Sequence, residues 1–129
     1  MGFELVFESP NGADVVVIHN DDRTVWAYLH TPAGIASDVW LFNLEAAPDE
    51  IQRDRGRPPL NPARYCSPDP PPVIEHRGDV LVEWLYEGAD LVSVELVADG
   101  RPLARLVPGA KPGWSTFAAL DGPCARTLR

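Results

Sequence analysis

Phe3, Leu5 and Phe7 alternate with Glu4, Val6 and Glu8, a period of two that turns one side of a strand inward and the other toward water. Ser9-Pro10-Asn11-Gly12 follows. Pro fixes φ and Asn-Gly tolerates positive φ, so the chain is expected to turn there before the β-branched run Val15-Val16-Val17-Ile18. The polar tip Asn20-Asp21-Asp22-Arg23 separates that run from Thr24-Val25-Trp26-Ala27-Tyr28-Leu29, which predicts a hairpin. Pro32-Ala33-Gly34 ends the third strand, and Val39 to Phe42 is apolar at both parities, as in a strand covered on both faces.

Strand patterning resumes after residue 78 with Val80 to Tyr86 and Leu91 to Val97. Asp99-Gly100 marks a tight hairpin, because a type I′ turn needs positive φ at both central residues, and Leu103 to Val107 should fold back on the preceding strand. Trp114 to Leu120 reads as the last strand. No run of about ten residues has the i, i+3, i+4 apolar spacing of a helix. One short helical turn is expected near Pro48-Asp49-Glu50-Ile51-Gln52-Arg53, where a proline and two acids suit a helix start. About eight strands punctuated by turn residues predict an all-β, mainly antiparallel sandwich or partly open barrel. At 129 residues, each half alone would be near the smallest self-supporting core, so a single domain over 1–129 is expected.

The patterning is interrupted over residues 46–78. Pro58, Pro59, Pro62, Pro68, Pro70, Pro71 and Pro72 are half of the chain's fourteen prolines, too many for a helix or a central strand. A flexible linker would lack apolar anchors, yet Ile51, Leu60, Tyr65, Cys66, Val73 and Ile74 recur here. The segment is expected to be a long ordered loop inserted between strands, tacked down by Leu60, Tyr65 and Cys66. A loop of that length is a candidate binding element.

Charge sharpens this picture. Up to residue 50, nine acids (Glu4, Glu8, Asp14, Asp21, Asp22, Asp38, Glu45, Asp49 and Glu50) face Arg23 alone, while the rest carries ten acids and ten bases, so the whole net charge of −8 lies in the first part. The plain reading is solubility; the sharper one is a negative face that attracts a basic partner and speeds encounter. Arg53, Arg55, Arg57 and Arg64 form the basic cluster, with Tyr65 beside it, the residue types that contact phosphates and stack bases. Asp49, Glu50 and Asp54 interleave with them, and the overall field repels polyanions, so no nucleic-acid partner is expected.

Other chemistry is sparse. His19, Asp21 and Asp22 crowd the first hairpin tip, but with Asp38 or His30 they show no metal-ligand spacing, and neither a metal nor a cofactor is expected. Cys66 and Cys124 lack Cys-x-x-Cys spacing and are expected as free thiols; no Gly-x-Ser-x-Gly elbow or Gly-rich phosphate loop occurs. No apolar run approaches the roughly 20 residues of a spanning helix, and the N-terminus has an early acid and no basic leader pattern. A cytoplasmic protein without membrane association is expected.

Trp26, Trp40, Trp84 and Trp114 fall in predicted strands, where most should fill the core. Trp26 shares a strand face with Tyr28 and His30. With Val25, Ala27 and Leu29 turned inward, an exposed aromatic stripe is expected beside the acidic tip, and such side chains anchor interfaces. The run Ser37-Asp38-Val39-Trp40-Leu41-Phe42-Asn43, followed by the acidic, proline-rich loop with Leu60-Asn61-Pro62, resembles small bacterial proteins of unassigned function; the resemblance implies no activity. Small acidic bacterial domains without catalytic motifs also include immunity proteins that neutralise toxins, a likeness of composition.

These observations point to a non-catalytic protein-binding domain, most concretely a bacterial immunity or inhibitor protein. It would engage a basic protein partner, such as a toxin, through Asp21, Asp22, Trp26, Tyr28, Glu45, Asp49, Glu50, Asp54 and Tyr65. A second reading is a small-molecule-binding protein or small enzyme, with a pocket under the long loop built from Trp40, Trp84, Tyr65 and His76. A third is an oligomer-forming structural subunit that buries its edge strands or its Trp26 face in a symmetric contact.

Overall fold

The computed structural model describes residues 2–54 and 56–129; Arg55 of the basic cluster lies outside the described residues. The strands are β1 (Phe3–Glu8), β2 (Val15–Asn20), β3 (Thr24–Thr31), β4 (Gly34–Asn43), β5 (Leu81–Glu87), β6 (Asp90–Ala98), β7 (Arg101–Leu106), β8 (Trp114–Ser115) and β9 (Arg126–Thr127). β1 to β4 form one antiparallel sheet in chain order, and β5 to β9 form a second in which only β8 and β9 run parallel. The chain is an all-β, mainly antiparallel sandwich, as the alternation predicts.

Local chemistry sets the turns. Asp99 and Gly100 adopt φ of 53° and 71°, the conformation a two-residue I′ hairpin requires. At the β2–β3 tip, Asp22 has φ of 71°. There the Asp21 carboxylate accepts the Arg23 and Thr24 amides, both at 3.0 Å, and the Arg23 guanidinium at 3.2 Å. Such an Asx-turn fixes the tip without help from a glycine.

Inward positions of the first sheet stack in rows: Phe7, Val16 and Leu29 in one register, Leu5, Ile18, Ala27 and Val39 in the next. The second sheet offers Val94 beside Leu106 and Leu96 beside Ala104. Apart from half-buried Leu5, all of these are buried, and each large aliphatic among them contributes about 1.5–3 kcal/mol by leaving water.

The two sheets meet along β4. Its outer edge is taken up by segments of the second half: Ala36 and Asp38 carbonyls each accept an amide, from Gly109 and Gly113, at 2.7 Å, and the Trp40 amide donates to the Cys124 carbonyl at 3.0 Å. Ser115 Oγ donates to the Leu41 carbonyl, and the Tyr86 hydroxyl reaches across to Asp14 Oδ2 at 2.8 Å. The sandwich is therefore closed along β4, while β1 and β5 are the outer strands of their sheets.

Two expectations need correction. No helical turn forms at Pro48–Arg53; 3-10 turns lie instead at Ala63–Tyr65 and Arg77–Asp79. The Pro48 carbonyl accepts the Ala63 amide at 2.8 Å, so the start signal is spent on a long-range contact and no i to i+4 ladder follows. The strand expected over Trp114–Leu120 ends at Ser115. Ser115 Oγ accepts the Phe117 amide, Thr116 donates back to Leu103, and Ala118 makes an isolated bridge with Cys66, so a local side-chain bond competes with the ladder.

The proline-rich segment is anchored at several points. Arg23 donates to the Pro58 carbonyl at 2.8 Å and Trp26 Nε1 to the Pro59 carbonyl at 3.1 Å. Further on, Ser67 donates to Phe117, Ala119 donates to Tyr65, and Ile74 is buried in the core. Cys66 and Cys124 are free thiols, and burial pushes the Cys124 thiol up to about 12. No helix among the described residues is long and apolar enough to cross a membrane.

Candidate functional site

The side of the first sheet that turns away from the second carries two registered rows. One runs Glu4, His19, Trp26, Trp40; the next runs Val6, Val17, Tyr28, Asp38. The first row is closed over at its inner end. Trp26 is only 6% exposed, beneath Pro59, and Trp40 is 1% exposed, its Nε1 donating to Asn43 Oδ1. The exposed stripe expected through Trp26 is thereby corrected: covering the outer face with the proline-rich segment gives the indole N–H a carbonyl partner, which a buried Trp requires. The second row stays open. Val6 is 47% exposed, and Val17, Tyr28 and Asp38 are half-buried.

Acids ring this open strip. Glu4 and Glu8 are exposed on β1 to either side of Val6, and Asp38 closes the opposite end of the row. The Tyr28 phenol, stacked on Trp26 at 6.3 Å between centroids, is pushed up to about 12, first by burial and then by the Asp38, Asp21 and Glu4 carboxylates. Burial likewise raises the Asp38 carboxyl, against the pull of Lys111. An apolar centre with an anionic rim can take an aliphatic or aromatic side chain flanked by cations.

The shifted phenol has a consequence for stability. Between its ordinary value of 10 and about 12, an unfolded chain releases this proton while the folded chain keeps it. The phenol's contribution to stability is thus full below pH 10 and is lost as pH rises toward 12, on top of the loss that the buried Cys124 thiol brings from its ordinary value of 9 upward. Tyr28→Phe is expected to flatten that decline, measured by urea unfolding on both sides of the window, and to remove the last phenolate from the ultraviolet titration.

The remaining residues singled out in the sequence separate into groups. Asp21 and Asp22 sit at the β2–β3 tip, and Glu45 joins them because its amide donates to the Arg23 carbonyl at 3.0 Å. Asp49, Glu50 and Asp54 are exposed along the segment after β4. Asp54 pairs with Arg57 at 3.8 Å across solvent, an ion pair of little energetic worth. Tyr65 joins neither group: Arg64 lies 4.8 Å over its ring, and Gly122 packs so closely that a Cβ there would fall 2.6 Å from a ring carbon. Glu4, Glu8 and Asp38 belong to the acidic first part of the sequence without being named as contact residues, and Val6 and Val17 carry no signal for the site. Their outward parity is legible in β1 and β4, but their convergence depends on a strand register that no local pattern encodes.

The pocket expected from Trp40, Trp84, Tyr65 and His76 does not assemble. Trp84 points inward from β5, and His76 is exposed beside the 3-10 turn Arg77–Asp79. The Asp79 carboxylate there accepts the Glu75 and His76 amides, which hold it below the usual carboxylate range. A cleft of about 780 Å³ does lie under the long loop, but with other walls, between its Asp69–Pro72 stretch and the β6–β7 hairpin. Its charges balance: Arg105 is held by Glu95 at 2.8 Å, and Asp69 and Asp99 share the walls with Arg101 and Arg129, so its electrostatics select neither anion nor cation. Among the described residues no three His, Cys, Asp or Glu side chains converge as a metal site.

No protein-family model, curated protein or solved structure gives a significant match to this chain.

Proposed function

We propose that the chain is a protein-binding domain that docks a basic partner on the outer face of its first sheet, in the manner of an immunity or inhibitor protein that covers a toxin. The observation that carries this reading is the open strip Val6–Val17–Tyr28 between Glu4, Glu8 and Asp38. An interface needs an apolar centre to contribute affinity and a complementary charged rim to set encounter rate and register. Asp21 is neutralised by Arg23, and the neighbouring acids Asp22 and Glu45 extend the negative field beyond the strip and would steer a cation-rich surface toward it.

The proline-rich segment has a supporting part here. By covering Trp26 and Trp40 it removes the largest aromatics from the face and leaves a strip of aliphatic and phenolic character. The test is a titration with an oligolysine peptide carrying one leucine, followed by backbone amide shifts. Shifts concentrated at residues 4–8, 15–19, 28 and 38 are expected, fading as salt rises. Equal shifts around every acid of the chain would contradict a defined docking face.

A further inference from the structure

Two open sheets have four outer edges, and three of these are blunted by means that proteins use against edge-to-edge pairing. The β4 edge is bonded through Ala36, Asp38 and Trp40. β9 is two residues long. β1 packs against the 3-10 turn Arg77–Asp79, with the Arg77 guanidinium 5.4 Å over the Phe7 ring. β5 is different. It has seven residues, Leu81-Val82-Glu83-Trp84-Leu85-Tyr86-Glu87, with no proline and no basic side chain, and among the described residues no 3-10 turn packs against it as the Arg77–Asp79 turn packs against β1. Leu81 and Leu85 are 58% and 55% exposed on its outer side, and even the inward Val82, Trp84 and Tyr86 are only half-buried. Its one irregularity against β6 falls between Leu85 and Tyr86, close to the strand end.

We infer that β5 is a homodimerisation edge: two copies pair their β5 strands antiparallel about Trp84 and join two second sheets into one continuous sheet. The sequence of the strand selects this register. Centred on Trp84, Glu83 faces Leu85 of the second copy, Glu87 faces Leu81, and Val82 faces Tyr86. Sliding by two residues sets Glu83 against Glu83 in one direction and Glu83 against Glu87 in the other, and like charges directly opposite are unfavourable. Sliding by one sets solvent-side residues against core-side ones. In the centred register Leu85 also lies diagonal to Leu81 and Leu85 of the second copy, within reach of contact, and the pairing is isologous, as a two-fold dimer requires.

Each copy carries a net charge of −8, so this dimer strengthens as salt screens the repulsion, whereas docking of a basic partner weakens. The surfaces lie on different sheets, and either holds without the other. Sedimentation equilibrium across a concentration and salt series tests it. A mass of twice the chain is expected, favoured by salt. Leu85→Glu places like charges opposite each other twice per dimer and should weaken dimerisation at least about tenfold, with unchanged circular dichroism because residue 85 is exposed. Leu85→Lys faces Glu83 and should tighten it about threefold. A monomer under all conditions, or equal weakening by both variants, would overturn the inference.

Discussion

Asn43→Ala is expected to lower the unfolding free energy by about 3 kcal/mol or more, because the side chain removed serves three buried partners at once. Its Oδ1 accepts Trp40 Nε1 at 2.8 Å and the Asn61 amide at 3.0 Å, while its Nδ2 donates to the Asn61 carbonyl at 2.9 Å. The amide thus pairs with Asn61 as a neighbouring strand would, and it holds the indole of a fully buried Trp in place. Alanine leaves an indole N–H and a backbone N–H without protein partners, each costing about 1–3 kcal/mol where water does not reach, and leaves the Asn61 carbonyl with the Cys66 thiol at 3.4 Å alone. Against a typical total of roughly 5–15 kcal/mol, that is a large share. Urea unfolding measures the loss. Hydrogen exchange at the Asn61 amide should accelerate as well, since that bond ties the proline-rich segment to β4. A loss under about 1 kcal/mol would contradict the role assigned to Asn43.

Reversing the rim of the docking face should have the largest effect on association. Glu4→Lys combined with Glu8→Lys changes two exposed side chains on β1, leaving the inward Phe3, Leu5 and Phe7 untouched. Steering by a local field changes association rates by about tenfold or more at low salt and acts weakly on dissociation. The double reversal is therefore expected to slow association of an oligolysine peptide about tenfold, with the difference shrinking as ionic strength shortens the screening length below about 10 Å.

Most of the fold is legible along the chain because β alternation and turn chemistry are local. Phe3, Leu5 and Phe7 declare the inward side of β1, and Asp99-Gly100 declares its hairpin through positive φ alone. What the local pattern does not carry is long-range pairing. Pro48 looks like a helix start, but its carbonyl is used by Ala63. Trp114 begins a strand that Ser115 ends by turning its hydroxyl onto Leu41 and Phe117.

The site follows the same division. The outward side of Tyr28 on β3 follows from its strand parity, and the place of Asp21 at the hairpin tip from the polar residues around it. The exposure of Trp26 depends on whether a segment more than thirty residues away, at Pro59, crosses over it. Glu4 and Asp38 come to flank one strip only because four strands stack in chain order.

The most direct measurement compares two chains of equal net charge. One carries Glu4→Lys and Glu8→Lys on the docking face; the other carries Asp69→Lys and Asp90→Lys, at exposed positions outside that face. Stopped-flow association with the same oligolysine peptide at low salt reads the difference. The expected result is a loss of about tenfold for the first chain and of less than about twofold for the second. Equal losses would mean that the peptide reads total charge alone, and the proposal of a defined docking face on the first sheet would fail.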